Sequence, residues 1–218
     1  MESAKTKVYG LLKAKIINMD FKPGEVLSDR RLATEFKVSR TPVREALILL
    51  QKENYVSQNA GRGFYVKGVT LKDIEEMFQV REALEVANLR NFSATPNKRH
   101  LESLEDMLKT HEKIIQNYKP KGKFLEDADF HKSLALISGN KFLFKILEGI
   151  FERIQIIKQI ESVHLERVLI AHEQHSRIVK SLLQGKLLAA EKILSQHILD
   201  AKDNVINKMK NRLDLLHL

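Results

Sequence analysis

Cysteine is absent from the 218 residues. That excludes disulfide staples and thiolate metal sites, and it suits a reducing cytoplasm. Long hydrophobic runs are missing as well: no segment approaches the roughly 20 apolar residues that a membrane helix requires. The opening MESAKTKVYGLLKAKI has no uninterrupted apolar core followed by a small-residue cleavage site. The expectation is a soluble, cytoplasmic protein with no membrane association. Fixed-period repeats and low-complexity stretches are also lacking, which disfavours a solenoid and leaves compact domains.

What is present is ample apolar content, 43%, enough for a buried core, and a formal charge of +9 that is unevenly shared. Residues 1–68 carry 13 Lys and Arg against 7 Asp and Glu, a balance of +6; the remaining 150 carry 24 against 21, or +3. A small basic domain joined to a nearly neutral larger one suggests a polyanion-binding module attached to something else.

The basic third has its own punctuation. From Thr6 to Asn18, Val8, Leu11, Leu12, Ile16 and Ile17 repeat at helical spacing, and Pro23 and Gly24 follow as a stop. Ser28 suits the N-cap of a short second helix carrying Leu32, Ala33 and Phe36. After the turn KVS, Thr41 reads as the N-cap of a third helix, with Pro42 in first position and Val43, Ala46, Leu47 and Leu50 as its inward stripe. NYVSQNAGRGFYVKG then places β-branched and aromatic residues on both sides of Asn59–Gly63, a two-stranded hairpin. Three helices and a hairpin make a winged helix-turn-helix over residues 1–68.

Residues 69–218 follow a hinge at Lys67–Thr70 and read as an antiparallel all-α bundle of six to seven helices. The amphipathic segments run Leu71–Phe92, Asn97–Tyr118, Phe124–Ile137, Phe142–Ile160, Glu166–Leu183 and Leu187–Leu216, separated by SATP, KPKG, SGN and QGK. The fold class is therefore mainly α.

With the stripe of the third helix turned inward, Arg44 is left on the outer face, and Arg40 and Thr41 stand at the helix entrance. A helix N-terminus presents free N–H groups to phosphates, and arginine there can also contact guanine in a major groove. Arg30 and Arg62 extend this positive surface, Arg62 from a hairpin tip suited to a minor groove. GEVLSDRRLATEFKVSRTPVREALILLQKENYVSQNAGRGFYV resembles the DNA-binding domain of GntR-family transcription regulators. The resemblance implies operator contacts by Arg30, Arg40, Thr41 and Arg44, with Gly61, Arg62 and Gly63 as the wing. One departure is KENYV, where many members have a glycine before the hydrophobic residue.

In the helical part, EDADFHKSLALISGN sets Asp127 and His131 four apart on one helix face, whereas Asp129 points elsewhere. His175 and His197 lie on the last two helices, where antiparallel packing would bring them level. One oxygen and three nitrogens suit a first-row divalent ion such as zinc or nickel; the alternative is a set of satisfied core or surface histidines. The segment Leu71–Ile198 resembles the FCD effector domain of the FadR-like branch, through VREALE, DADFHKSLALISGN and the two histidines around EQHSRIVKSLLQGKLLAAEKILSQHI. The resemblance implies a metal on Asp127, His131, His175 and His197, and an organic-acid effector.

Arg81 follows Met77 and Phe78 by four and three residues and precedes Leu84 by three, so a charge sits on an inward stripe and needs a partner. That partner is either the carboxylate of an effector or Glu85 one turn on. The reading is a homodimeric transcription regulator that binds double-stranded operator DNA and responds to a small carboxylate. An alternative is a metal-dependent hydrolase or lyase with a basic appendage, although His172 and His175 are three apart, not the four of the zinc-protease helix. A third is a nonspecific architectural DNA-binding protein.

Overall fold

The computed structural model describes residues 3–59, 61, 63–94, 98–116, 126–160 and 165–216. The chain forms two compact units, residues 1–69 and 70–218.

The first unit contains α1 (Ala4–Ile17), β1 (Val26–Leu27), α2 (Asp29–Phe36), α3 (Arg40–Lys52), β2 (Val56–Asn59) and β3 (Gly63–Val66). Val8, Leu12 and Ile16 of α1 are buried with Leu32 and Ala33 of α2 and with Val43, Ala46, Leu47 and Leu50 of α3. Ser28 caps α2, its hydroxyl accepting from the Arg31 amide at 3.3 Å. At α3 the expected cap is displaced: Ser39 is the N-cap, Thr41 lies in the first turn, and Pro42 is the third helical residue. Proline costs nothing there, because the first N–H groups of a helix have no intrahelical acceptor.

The expected two-stranded hairpin is the larger part of a three-stranded antiparallel sheet in the order β1-β3-β2. Val26 and Leu27 pair with Tyr65 and Phe64, in a stretch that reads from sequence only as a helix stop. β3 buries alternate residues, Phe64 and Val66, which is the period-2 pattern of a half-buried strand. Gly61 and Gly63 take φ of 86° and 74°, the left-handed region that a tight turn between β2 and β3 demands. The missing glycine of KENYV is supplied in kind by Asn54, at φ 61°; asparagine tolerates the left-handed backbone better than other side chains.

The second unit comprises α4 (Leu71–Ala94), α5 (Lys98–Gln116), α6 (Glu126–Leu136), α7 (Lys141–Ile160), α8 (Leu165–Leu183) and α9 (Leu187–Leu216). α4 opens with a reciprocal cap: the Thr70 amide donates to Asp73 at 2.8 Å and the Asp73 amide to the Thr70 hydroxyl at 3.1 Å. α9 packs on α4 and α8, α5 on α8, and α6 on α7. α4 continues through Ser93 and Ala94, so half of the SATP separator is helical. Thr95 and Pro96, the KPKG separator, and the proposed helix ends at Asn97, Tyr118 and Phe124 lie outside the described residues. None of the described helices is long and apolar enough to cross a membrane.

Asn140 serves as a helix boundary, its side-chain oxygen accepting from the Leu143 amide at 3.1 Å to cap α7. The same corner is tied to α4 by buried Asn88, which donates to the Leu134 carbonyl at 2.7 Å and accepts from Ser138. Asn88→Ala should cost about 1–3 kcal/mol, since it removes two hydrogen bonds and leaves the part-buried Ser138 hydroxyl without that acceptor. Urea unfolding with an unchanged m-value checks this; a loss below experimental error would mean that the α6–α7 corner is held by packing alone.

Candidate metal centre and nucleic-acid interface

In the first unit Arg30, Arg40, Thr41, Arg44, Gly61 and Gly63 are all exposed. Arg62 lies outside the described residues. Arg44 stands on α3 opposite the buried stripe, and no ion pair to Arg30 or Arg44 occurs among the described residues. Arg40 differs. Its Nη2 meets both carboxylate oxygens of Asp29, at 3.2 and 3.0 Å, so its charge is partly matched while its guanidinium remains exposed. This pair ties the first turn of α3 to the first turn of α2.

In the second unit the bundle brings Asp127 and His131 of α6, His175 of α8 and His197 of α9 together, with ligand atoms all within 4.8 Å of one another. The three histidines are buried, and the Asp127 side chain is 23% exposed. Asp127 Oδ1 lies 3.7 Å from His131 Nε2, 3.5 Å from His175 Nε2 and 3.4 Å from His197 Nε2. His197 Nε2 is 3.0 Å from His131 Nε2 and 3.2 Å from His175 Nε2. Asp129 is exposed and stands apart from the group.

The outer contacts decide which ring nitrogens carry protons. Gln174 Nε2 donates to Asp200 at 2.8 Å, which turns its carbonyl oxygen toward His197 Nδ1, 2.8 Å away. His197 Nδ1 must therefore be the donor, and in the neutral ring Nε2 is a lone pair. Burial lowers the His197 pKa to about 4, against the partial opposition of Asp127, so the ring is neutral at pH 7. The His197 Nε2 lone pair thus faces a carboxylate oxygen, acceptor against acceptor, an arrangement that a positive centre between them would relieve. His131 is oriented the same way, with Nδ1 2.5 Å from Glu85 Oε2 and Nε2 in the cluster. His175 stacks on Phe130 at 3.8 Å between centroids, and burial holds its pKa well below the ordinary value. Burial alone would raise the pKa of Asp127; Lys158, together with the imidazoles around it, outweighs burial and holds the carboxyl well below its usual range.

A positive centre can be a proton or a metal ion, and the spacing suits a metal. Ligand atoms at a zinc–nitrogen distance of about 2.1 Å stand about 3.4 Å apart in a tetrahedron and about 3.0 Å apart at adjacent octahedral corners. The observed 3.0–3.7 Å spans those values. Each of His131 and His197 also has an acceptor on its outer nitrogen, the arrangement that orients imidazole ligands.

Of the two partners expected for Arg81, Glu85 is the one present. The side chain is buried, and its Nε donates to Glu85 Oε1 at 2.6 Å. It also lines a cavity of about 90 Å³ beside the cluster, together with Asp127, His175, Lys158 and Arg167. Burial opposes ionisation of Glu85, but His131 and Arg81 outweigh it and its pKa is lowered.

Several contributors were missed in the sequence. Lys158 meets Asp127 Oδ2, and nothing in the α7 pattern marks it. Gln174 and Asp200 are adjacent to or three residues from a ligand position, a signal that spacing could have supplied. Buried His111 continues the α5 stripe Leu101, Leu104, Leu108 and Ile115, the same anomaly that singled out Arg81.

Fold and site together describe a helix-turn-helix regulator of transcription that binds DNA. The sequence matches the family described as bacterial regulatory proteins, gntR family, over residues 4–66, and the FCD domain over residues 76–200. The HTH-type transcriptional regulator YdhC of Bacillus subtilis is 30% identical over 192 residues, spanning 88% of this chain and 84% of that protein. The Nta operon transcriptional regulator of Aminobacter aminovorans is 28% identical, covering 87% and 89%. A GntR regulator from Rhodococcus sp. RHA1 has the same fold, with a TM-score of 0.77 at 24% identity over 94% of this chain and 99% of that one. The chain belongs to the GntR family and carries an FCD domain. It is a regulator, not an enzyme, and the hydrolase or lyase alternative is set aside by that membership.

Glu85→Gln should destabilise the helical unit strongly, by about 3–5 kcal/mol, because it leaves the buried Arg81 guanidinium without its anion. Chemical unfolding of the variant measures this. A shift under 1 kcal/mol would show that Arg81 gains a different partner when Glu85 is neutralised.

Proposed function

We propose that this regulator is a homodimer, working in the cytoplasm, whose operator affinity is set by a small organic acid bound beside a divalent metal in the helical unit. The first unit reads DNA through Arg30, Arg40, Thr41 and Arg44, with Gly61, Arg62 and Gly63 as a wing. The second unit binds the effector and pairs the subunits. One observation carries the sensing half: the His197 Nε2 lone pair and Asp127 Oδ1 face each other at 3.4 Å, at the edge of a cavity lined by Arg81, Lys158 and Arg167.

The nitrogen-rich donor set of Asp127, His131, His175 and His197 fits zinc or nickel, and such an ion would offer open coordination positions to a carboxylate oxygen. The chain's own contribution is orientation and charge. Glu85 and Gln174 hold His131 and His197 with Nε2 inward, and Lys158 holds Asp127 through its second oxygen. Arg81 is fixed by Glu85 at the cavity wall, where its remaining N–H groups suit an acid. An effector that binds better to one arrangement of the dimer shifts the population toward it and changes operator affinity accordingly. Two heads are needed because one short recognition helix reads few bases.

Elemental analysis of the purified protein should find one divalent ion per subunit. His175→Ala should lose that ion and lower heat stability together, since an ion present at 100 times its Kd contributes about 2.7 kcal/mol. His172→Ala, three residues away on α8, is expected to keep full metal content. Equal metal in wild type and His175→Ala would remove the metal from this account.

For the DNA unit, Arg44→Ala should weaken operator binding by about 1–3 kcal/mol, concentrated at one base pair, with folding unaltered. Affinity measured at fixed physiological salt on a base-substituted operator series checks it. A uniform loss across the series would make Arg44 a phosphate contact, and no loss would take it out of the interface.

A further inference from the structure

The cavity beside the cluster owes its shape to two small residues. Ala171 stands four residues before His175 on α8, and Ala201 four after His197 on α9, so each lies one turn from a clustered histidine on the same helix face. The two helices run antiparallel with His175 against His197, which sets Ala171 level with Ala201. Val168 and Val205 follow one turn further along the same helices, and all four residues line the cavity. At a rise of 1.5 Å per residue the alanines stand about 6 Å from their histidines along the helix axes, and the valines about 10–12 Å. Ile115, one turn after His111 on α5, belongs to the same wall. Beyond the cluster, the side chains that leave room for a ligand are therefore small or apolar.

The lysines and arginines of the wall are already engaged. Arg81 pairs with Glu85 and Lys158 with Asp127. The charge of Arg167 acts on the Asp200 carboxylate, and Lys208 has an interaction of its own. Burial lowers the pKa of His111, with Asp129 opposing and His172 adding to the shift, so its ring is neutral at pH 7. His111 Nδ1 has no hydrogen-bond partner among the described residues, but the atom is itself covered and offers nothing to a molecule in the cavity unless the ring turns. A second anionic head would therefore lose its water with no unanswered cation to receive it, which is costly. A hydrocarbon tail gains with every methylene it buries.

We propose that the cavity selects a short aliphatic monocarboxylate, its carboxylate at the Asp127, His131, His175 and His197 cluster and its hydrocarbon tail between Ala171 and Ala201, ending against Val168, Val205 and Ile115. This rests on the acid-sensing reading above and adds the class of acid. The cavity volume of about 90 Å³ sets the length of the tail. A cavity of about 150 Å³ takes the six carbons of benzene, so by the same measure this one takes about four non-hydrogen atoms, a tail of roughly two to four carbons.

The test uses the full-length, zinc-loaded protein and calorimetric titration with acetate, butyrate, 4-hydroxybutyrate and succinate. Wild type should bind butyrate about fifteenfold tighter than acetate, since each of the two added methylenes is worth about fourfold in Kd when buried. Butyrate should also exceed succinate and 4-hydroxybutyrate by at least about tenfold, because each of those carries a polar group to the apolar end. Ala171→Leu, which fills the space for the tail, should reduce the ratio of butyrate to acetate affinity to about one. Val168→Ala, which lengthens that space, should move the preferred acid from butyrate toward hexanoate. Circular dichroism and zinc content confirm that each variant is folded and loaded, and the wild-type ratios decide even if neither variant is. Equal binding of acetate and butyrate by wild type overturns the proposal, as does succinate or 4-hydroxybutyrate binding as tightly as butyrate, or a butyrate preference that survives Ala171→Leu. If no acid binds although zinc is present, the acid-sensing reading fails and this proposal fails with it; binding of acids without a preference for butyrate defeats the aliphatic tail alone.

Discussion

A carboxylate oxygen of Asp127 and an imidazole lone pair of His197, 3.4 Å apart in the bundle interior, repel unless something positive lies between them. Much of the helical unit is arranged around that constraint. Gln174 and Asp200 fix the His197 tautomer, Glu85 fixes His131, Phe130 braces His175, and Lys158 takes the second oxygen of Asp127. Removing any one orienting group frees a ring or a carboxylate to turn away. The arrangement is therefore a polar network whose members depend on one another, set in an interior where an unpaired group is costly.

Arg81 shows how one side chain can belong to two structures. Its Nε is spent on Glu85, which in turn holds His131. The guanidinium face packs near Phe78 and Phe151, with centroids 5.5 and 5.6 Å away. Of the two partners offered for Arg81, the structure shows Glu85, and that pair does not by itself exclude a ligand. A guanidinium has five N–H donors, so pairing with Glu85 leaves capacity for a ligand and also prevents the side chain from collapsing onto it.

Most of the architecture was legible because it rests on local rules. The 3.6-residue stripe of α3 named Val43, Ala46, Leu47 and Leu50, and all four are buried. What was not legible depended on tertiary partners. β1 is two residues long and becomes a strand only because Tyr65 and Phe64 are beside it. The α3 cap moved from Thr41 to Ser39 because the turn geometry, which sequence does not display, chose the serine two residues earlier. In the site, Asp127 and His131 were legible from their spacing on one helix. His175 and His197 could be paired only loosely, by their places on two antiparallel helices, and the family resemblance strengthened that pairing; Lys158 on α7 offered no sign at all. His111 was visible in principle as a polar residue on an apolar stripe, but a lone buried histidine is ordinary until its nitrogen is found without a partner.

The order of the four clustered side chains along the chain has a consequence for biosynthesis. Asp127 and His131 emerge with α6, His175 follows on α8, and His197 arrives last on α9. The cluster cannot assemble until α9 has been translated and has docked, whereas residues 1–69 form their own compact unit from the start of the chain. During synthesis on the ribosome the N-terminal unit can fold first. A nascent chain therefore passes through an interval in which its helix-turn-helix is complete and its clustered histidines are not.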